Sequence, residues 1–264
     1  MRLEACTWKE VDEYLKGSKE ILVPIGSTEQ HGPTGLIGTD FLTAHAIANE
    51  VGEKRGWMVA PVLPYGMASH HLAFSGSVSL RPSVYLQVLC EIVRSLYHHG
   101  FRRFMFVNGH GGNESTVRAA FQELKHENLE GASFQLVNWW KMGKVASIAD
   151  ELFGDKEGSH ATPTEVSLTF FLEKVAPRPY HPVTGEKTSI WPLSAAEVRK
   201  AFPDGAMFSD PGLARAEYGQ RIMDAAVNGI IEEFGKSGLA LSQSPTISSK
   251  SVRSNFVENS DAFF

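Results

Sequence analysis

The sequence predicts an α/β fold of three layers, α/β/α, in which helices cover both faces of a mostly parallel β-sheet. Short apolar runs that end at glycine or proline alternate along the chain with stretches of helical length. Apolar runs of this kind are typical of parallel strands that are buried on both faces. Strands that are separated by helices indicate successive βαβ units, and such units build a sheet covered on both sides.

The predicted elements follow in chain order. Two capping-box patterns, at residues 162–165 and 194–197, mark the starts of later helices, and Pro163 occupies the first helical position of the former. Asp210 begins a long amphipathic stretch that we interpret as a further helix. The earlier strands are predicted within residues 20–26, 56–66, 102–112 and 132–140, and the earlier helices at 41–55, 84–99 and 115–127.

We interpret residues 1–241 as a single domain and the serine-rich residues 242–264 as an extended C-terminal arm. The net charge of -5 gives no general attraction to nucleic acid or to an anionic membrane surface, so we expect neither partner. The chain lacks an apolar run of about 18 residues and a signal-peptide pattern. Its two cysteines, Cys6 and Cys90, are far apart, which favours reduced thiols and a cytoplasmic protein.

Polar and ionisable side chains follow each predicted strand, where an open α/β sheet binds its ligands. Because these loops open on one rim, histidines and carboxylates that are distant in sequence can converge there. The residues are Glu29, His31 and Asp40 after the first strand, Tyr65, Ser69, His70 and His71 after the second, Asn108, His110 and Asn113 after the third, Trp139 and Trp140 after the fourth, and Glu157, His160 and Glu165 further on.

The chemistry of this set favours a metal site. Carboxylate and imidazole ligands without cysteine suit Zn, Mn or Fe in divalent form. A carboxylate such as Asp40 can bridge two cations about 3.5 Å apart, the arrangement that two-metal enzymes use to activate water.

Structural roles compete with metal binding for several of these residues. Asp40 follows Thr39 at a predicted helix start and can be the N-cap of that helix. Asn113 has the same alternative at the next helix, and there we favour the cap. Glu165 is explained at least as well by its capping box as by a ligand role.

The paired aromatic and histidine residues are equally open to a structural explanation. His70 and His71 are adjacent in sequence, so we expect at most one of them to face the site. Trp139 and Trp140 more often serve packing than a substrate platform.

Four segments together resemble the creatininase family, also called the creatinine amidohydrolase family. Two of them, residues 24–40 and 106–113, indicate this family more specifically when they occur together than either does alone. The segments are PIGSTEQHGPTGLIGTD at residues 24–40, LPYGMASHHLAFSGSVSL at 63–80, FVNGHGGN at 106–113 and GSHATPTEVS at 158–167.

This resemblance implies an α/β protein that hydrolyses amide-type C–N bonds with two divalent metal ions, Zn, Mn or Fe. It implies that Asp40 bridges the two ions, with Glu29 and His110 on one and His31 on the other. It also implies that His160 is the catalytic histidine. Creatininase-like proteins commonly form hexamers, so we expect a homo-oligomer.

The sequence departs from the family pattern at three places. Gly111 and Gly112 occupy the position where creatininase has an acidic ligand, which leaves Glu165 as the first candidate for the fourth ligand of the second metal. The loop at residues 32–40 lacks the histidine and proline that typically follow H-G-P in relatives. Residues 162–163 replace a glycine and an acidic residue. The last two changes favour a substrate other than that of creatininase.

The main functional hypothesis is hydrolysis of a small cyclic amide or related substrate by a hydroxide that bridges the metals, with His160 as the proton donor to the departing nitrogen. The first alternative is a deformylase or peptide-trimming hydrolase of the same family. The second is a metal-stabilised ligand-binding protein without turnover. The candidate substrate-binding residues are Ser69, His71, Gly111, Gly112 and Trp139.

Overall fold

The computed structural model of the protein describes residues 1–178, 180, 182–183 and 192–236. The predicted C-terminal arm at 242–264 lies outside the described residues, as do the last residues of the predicted domain. The helices are α1 (Trp8–Gly17), α2 (Thr39–Arg55), α3 (Pro82–His99), α4 (Glu114–His126), α5 (Gly143–Phe153), α6 (Pro163–Glu173), α7 (Ala195–Ala201) and α8 (Gly219–Lys236). The strands are β1 (Glu20–Ile25), β2 (Met58–Val59), β3 (Arg103–Asn108) and β4 (Ser133–Asn138).

The described strands form one parallel sheet in the order β2-β1-β3-β4. The chain leaves β1 through α2 to reach β2 on one side, whereas it leaves β3 through α4 to reach β4 on the other. The loops that follow β1 and β3 therefore diverge, and they leave a crevice between the carboxyl ends of the two central strands. A crevice of this kind is the usual ligand site of an open α/β sheet.

Side chains of the two central strands alternate between two hydrophobic cores. Leu22 of β1 and Met105 of β3 pack on one face with α2, α5, α6 and α8. Val23 and Phe104, each one residue away, pack on the opposite face with α1, α3 and α4. Because successive residues of a strand point to opposite faces, a continuous apolar run supplies both cores. The predicted three-layer α/β/α fold is confirmed.

The predicted helices at 41–55, 84–99 and 115–127 correspond to α2, α3 and α4. Both predicted capping boxes are present, because Thr162 and Ser194 each accept a hydrogen bond from the third helical amide of α6 and α7. Among the described helices, none is long and apolar enough to cross a membrane.

The predicted start of the last helix at Asp210 is wrong, since α8 begins at Gly219. The Asp210 side chain accepts a hydrogen bond from the Gly212 amide at 3.1 Å and closes only a short 3-10 turn. The Arg215 amide then donates to Ser167 Oγ at 3.0 Å, which holds the backbone in an extended conformation against α6. A local start signal is overridden here by a tertiary hydrogen bond.

Candidate metal centre

The candidate site lies where the loop after β1 meets the end of β3. Gly109 donates its amide to the Ile25 carbonyl at 2.8 Å, which joins the two strand ends. A Cβ atom at Gly109 would lie 2.0 Å from the Asp40 carbonyl oxygen. A residue without a side chain is therefore required at this position, since only then can the first turn of α2 lie against the strand end. This contact places Asp40 beside His110.

Asp40 is not the N-cap of α2. The cap position is Gly38, and Asp40 lies within the first turn, 2% exposed. Its Oδ1 is 3.0 Å from His31 Nε2, and its Oδ2 is 3.1 Å from His110 Nδ1. The two oxygens of this carboxylate thus face two different histidines.

Glu29 has a fully buried carboxylate whose two oxygens have no hydrogen-bond partner among the described residues. Three imidazole nitrogens surround its Oε1: His71 Nε2 at 3.3 Å, His110 Nδ1 at 3.3 Å and His160 Nδ1 at 3.6 Å. A buried carboxylate without a partner is costly. An arrangement of this kind indicates that a further group belongs between these atoms.

Glu165 combines the two roles between which the sequence left a choice. Its Oε1 accepts a hydrogen bond from the Thr162 amide at 2.6 Å and so completes the capping box of α6. The same oxygen is 3.8 Å from His31 Nε2. The cap therefore holds this carboxylate in contact range of the candidate centre.

The donor atoms fall into three sets, and within each set the atoms lie within 4.8 Å of one another. Ligands bound about 2.0–2.2 Å from a cation lie roughly 3.0–3.5 Å apart, which is the spacing that the closest pairs show. The unpartnered oxygens of Glu29 and Asp40 and the mixed O and N donors fit divalent cations. The sets are Glu29, Asp40 and His110; His31, Asp40 and Glu165; and Glu29, His31 and His160.

The charges in the site shift the pKa values of its members in opposite directions. Burial alone lowers the pKa of His31, but the attraction of Asp40 outweighs it and raises that pKa to about 10. Burial raises the pKa of Asp40, yet the attraction of His31 and the nearby His110 hold that pKa well below its usual value. For Glu165, burial dominates and raises the pKa to about 7. The site thus retains protons when no cation is bound.

Gln30 determines which nitrogens of His71 and His160 carry hydrogen. His160 Nε2 lies 2.8 Å from the Gln30 main-chain carbonyl, which can only accept, so that nitrogen is the donor and Nδ1 keeps its lone pair. The Gln30 side-chain oxygen accepts from the Gly32 amide at 2.8 Å, which directs the NH₂ group toward the Gly205 carbonyl at 3.0 Å, His71 Nδ1 at 3.0 Å and His160 Nε2 at 2.9 Å. Because His160 Nε2 is itself the donor to the Gln30 carbonyl, the two NH₂ hydrogens go to the Gly205 carbonyl and to His71 Nδ1.

It follows that His71 carries its hydrogen on Nε2, the nitrogen that lies 3.3 Å from Glu29 Oε1. Burial, together with repulsion from His160 and His70, lowers the pKa of His71. Burial and the nearby His31 likewise lower the pKa of His160. Both rings are therefore neutral. The role of Gln30 was missed at the sequence level, although it lies directly between two candidate ligands.

Asn113 occupies the predicted N-cap position of α4, but its side chain makes no cap hydrogen bond to that helix. Its amide group instead donates to the Gly26 carbonyl at 3.0 Å, and its oxygen accepts from the Met67 amide at 3.1 Å. Asn108 donates to the His110 carbonyl at 2.7 Å. These two buried asparagines join the loops that carry the candidate ligands.

A cavity of about 490 Å³ opens beside these residues. Gly111 lies on its wall, whereas a Cβ at Gly112 would lie 2.4 Å from His110 Nε2 behind it. Trp140 lines the cavity, and Trp139, 1% exposed, packs in the core beneath α5 and α8. Ser69 lies on the surface at the start of a short 3-10 helix.

The structure thus brings the predicted ligands and the predicted catalytic histidine to one place. Of the predicted substrate-binding residues, it brings His71 and Gly111 there, and it places Trp140 rather than Trp139 along the cavity. The residues of the cluster are Glu29, His31, Asp40, His71, His110, His160 and Glu165.

Comparison with known proteins identifies the family and the fold. The creatininase (creatinine amidohydrolase) family model matches residues 4–234. The chain belongs to the creatininase family. It is 26% identical over 247 residues to the creatinine amidohydrolase of Pseudomonas putida, covering 86% of this chain and 93% of the relative. It is 33% identical over 223 residues to the mycofactocin precursor peptide peptidase of Mycolicibacterium smegmatis, covering 81% and 83%.

Two solved creatininase structures share the fold, each with a TM-score of 0.72 at 25% identity. One is described as the Mn form of creatininase, and the other as a mutant creatininase of the Zn-Zn type. Each comparison covers 88% of this chain and 96% of the other. The predicted family is confirmed, and with it a hydrolase of the amidohydrolase kind.

Proposed function

We propose that this protein is a hydrolase that holds two divalent cations through Asp40 and cleaves a C–N amide bond of a small substrate. The observation that carries this proposal is the geometry of Asp40, whose Oδ1 lies 3.0 Å from His31 Nε2 and whose Oδ2 lies 3.1 Å from His110 Nδ1. Glu29 and His110 would complete one ligand set, and His31 and Glu165 the other. Zn, Mn and Fe all suit these ligands.

Divalent cations held in this way lower the pKa of water and polarise a carbonyl group. The protein's own contribution is a proton acceptor at His160 Nδ1, because Nε2 of that ring is committed to the Gln30 carbonyl. Nδ1 accepts the proton of the attacking water and then donates it to the departing nitrogen. This donation is required because an amide nitrogen is a poor leaving group without a proton.

The neighbouring groups of the protein orient this exchange. His71 places the hydrogen-bearing Nε2 of its neutral ring 3.3 Å from Glu29 Oε1, so that the positive end of the ring dipole faces that carboxylate. The amide of Gly111, on the cavity wall, is available to bind a carbonyl oxygen of the substrate.

Peptide trimming is the second candidate function, and two observations favour it. The chain has Gly111 and Gly112 where creatininase has an acidic ligand, and its identity to the mycobacterial peptidase is 33%, against 26% to the creatinine amidohydrolase. The cavity of about 490 Å³ falls within the range that holds drug-sized ligands, so it accommodates a dipeptide as well as a small ring.

The test is turnover by the Mn- or Zn-loaded protein with creatinine, an N-formyl amine and short peptides, each assayed with His160→Ala in parallel. We expect one class to be hydrolysed and His160→Ala to lose about 10²–10⁴-fold in rate while keeping its metal. Loss of metal in His160→Ala would make this residue a ligand instead. A metal-loaded protein that hydrolyses none of these amides would favour the ligand-binding alternative.

A further inference from the structure

The cavity extends beyond the candidate ligands to a region that the proposed chemistry does not use. Helix α5 supplies an apolar wall from Val145, Ala146 and Ala149. Trp140 lines the same space, 4.0 Å from where a Cβ of Gly111 would lie. Glu157, from the segment before α6, brings a carboxylate to the same region, which we call the outer cavity.

Glu157 is half-buried and has only neutral partners among the described residues. Its Oε2 accepts from Thr164 Oγ1 at 2.9 Å and from the Thr164 amide at 3.4 Å. Burial raises the pKa of this carboxyl, and the hydrogen bonds from Thr164 and Thr162 compensate only in part. Among the described residues, no lysine or arginine forms an ion pair with Glu157.

The basic residue on the cavity wall is already neutralised. Lys141 Nζ lies 2.9 Å from Glu114 Oε2, so its charge is satisfied by a carboxylate of the same wall. Asp150 adds another acidic group at the exposed rim. The outer cavity therefore has excess negative charge, together with an aromatic ring and an apolar wall.

We infer that the outer cavity binds a cationic nitrogen group of the substrate, such as a primary ammonium, between the carboxylate of Glu157 and the ring of Trp140. The inference rests on the proposed function, because it treats this cavity as the substrate site. A half-buried carboxylate forms strong hydrogen bonds to an ammonium group, and an aromatic ring adds attraction for the same cation. The apolar wall of α5 then contacts the alkyl chain that connects this group to the amide.

A purely structural role for Glu157 makes a different prediction. Its contact with the Thr164 amide also stabilises the N-terminus of α6, and an uncharged acceptor would preserve that hydrogen bond. Glu157→Gln retains the acceptor and removes the charge, so it separates the two roles. Asp155→Asn is the matched control, because Asp155 belongs to the same turn and its side chain is 89% exposed.

The experiment is calorimetric binding of butyrohydroxamate and 4-aminobutyrohydroxamate to the Mn-loaded protein. The two probes share a metal-binding group and differ by a terminal ammonium. We expect the amino compound to bind at least about tenfold more tightly to the parent protein and to Asp155→Asn, as for a hydrogen bond to a charged group. In Glu157→Gln we expect the two probes to bind equally, with the affinity for butyrohydroxamate unchanged.

Equal binding of the two probes to the parent protein would overturn the inference while leaving the metal centre intact. The inference would also be overturned if Glu157→Gln still bound 4-aminobutyrohydroxamate more tightly than butyrohydroxamate. If neither probe binds the metal-loaded protein, the proposed metal function itself fails, and the inference fails with it.

Discussion

At the scale of single residues, Gln30 connects the two parts of the candidate active site that are not themselves bridged by Asp40. Its main-chain carbonyl orients His160, and its side chain orients His71. The same NH₂ group donates to the Gly205 carbonyl at 3.0 Å and so attaches the segment after α7 to the site. Gln30 thus contacts His160 through its main chain, and His71 and Gly205 through its side chain.

We expect Gln30→Glu to lower the free energy of unfolding by about 1–3 kcal/mol, because the Gly205 carbonyl and His71 Nδ1 lose their donor and face a carboxylate. Urea unfolding of the metal-free protein measures this. Gln220→Glu is the matched control, since Gln220 is exposed and donates only to Asp224 at 3.0 Å, and we expect a change within about 0.5 kcal/mol. Equal effects of the two substitutions would contradict this account of Gln30.

The chemistry of individual residues was largely predictable from the sequence, whereas their orientation was not. The candidate ligands could be named because carboxylates and imidazoles follow strand ends. The choice between a cap and a ligand for Asp40 depends on where the backbone of α2 starts, which is two residues earlier than predicted. Trp139 and Trp140 are adjacent in sequence, and only the short 3-10 turn at Trp139–Lys141 places Trp140 along the cavity and Trp139 in the core.

At the scale of secondary-structure elements, the N-terminus of α6 joins helix stability to the candidate centre. The Thr162 hydroxyl accepts from the Glu165 amide at 3.2 Å, and the Glu165 carboxylate accepts from the Thr162 amide. This capping box was predictable because its pattern is local. That its carboxylate also approaches His31 was not, because the contact joins distant parts of the chain.

We expect Thr162→Ala to lower stability by about 1 kcal/mol, within a range of roughly 0.5–2, because the Glu165 main-chain amide loses its acceptor, the Thr162 hydroxyl. We also expect weaker metal binding, because the loosened first turn of α6 no longer fixes the Glu165 carboxylate beside His31. Thr162→Ser should restore both properties. Ser194→Ala removes the equivalent cap of α7 and should lower stability without affecting the metal. Urea unfolding measures the change in stability, and metal titration measures the change in affinity. If Thr162→Ala left the metal affinity unchanged, the cap would not be needed to position Glu165 for metal binding.

The contact between the β3 end and α2 is a second test at this scale. A Cβ at Gly109 would lie 2.0 Å from the Asp40 carbonyl and 3.2 Å from Ala44, so Gly109→Ala must move α2. We expect a loss of about 1–3 kcal/mol in stability and of most bound metal. Gly17→Ala is the control, because a Cβ at Gly17 would meet nothing within 4 Å, and it should retain both stability and bound metal. If Gly109→Ala left the metal content unchanged, this explanation of how Asp40 is positioned would be wrong.

At the scale of the whole molecule, the three-layer fold was predictable from the continuous apolar runs. A strand whose residues are all apolar contributes side chains to a hydrophobic core on each face of the sheet. The start of α8 was not, since Arg215 is held by α6 through a hydrogen bond to Ser167. The candidate site shows the same contrast between local and tertiary information. The order of strands and helices predicts which residue types lie at the rim of the sheet, whereas the contacts among them depend on tertiary packing.

The pH dependence of stability is a property of the whole site. In the metal-free protein the pKa of His31 is raised from 6.5 to about 10, so its stabilisation is complete below pH 6.5 and is lost as the pH rises through 10. The pKa of Glu165 is raised from 4.5 to about 7, so the folded state also loses stability between those values. Both changes make the metal-free protein less stable as the pH rises from 6 to 9.

Bound cations replace these protons, so metal binding should strengthen over the same pH range. We expect the difference in Tm between Mn-loaded and chelator-treated protein to increase from pH 6 to pH 9, and His31→Asn to reduce that increase. Thermal unfolding at several pH values measures it. A difference in Tm that is constant with pH would contradict the assignment of His31 as a proton-holding ligand.

The most direct test of the account is the metal content per chain of the purified, Mn- or Zn-loaded protein beside its Asp40→Asn variant, measured by elemental analysis. Asp150→Asn, which alters an exposed carboxylate of the same cavity, is the control. We expect about two ions per chain in the parent and in Asp150→Asn, and fewer than one in Asp40→Asn, because both ligand sets share this carboxylate. Equal metal content in the parent and in Asp40→Asn, or no metal in the parent, would contradict it.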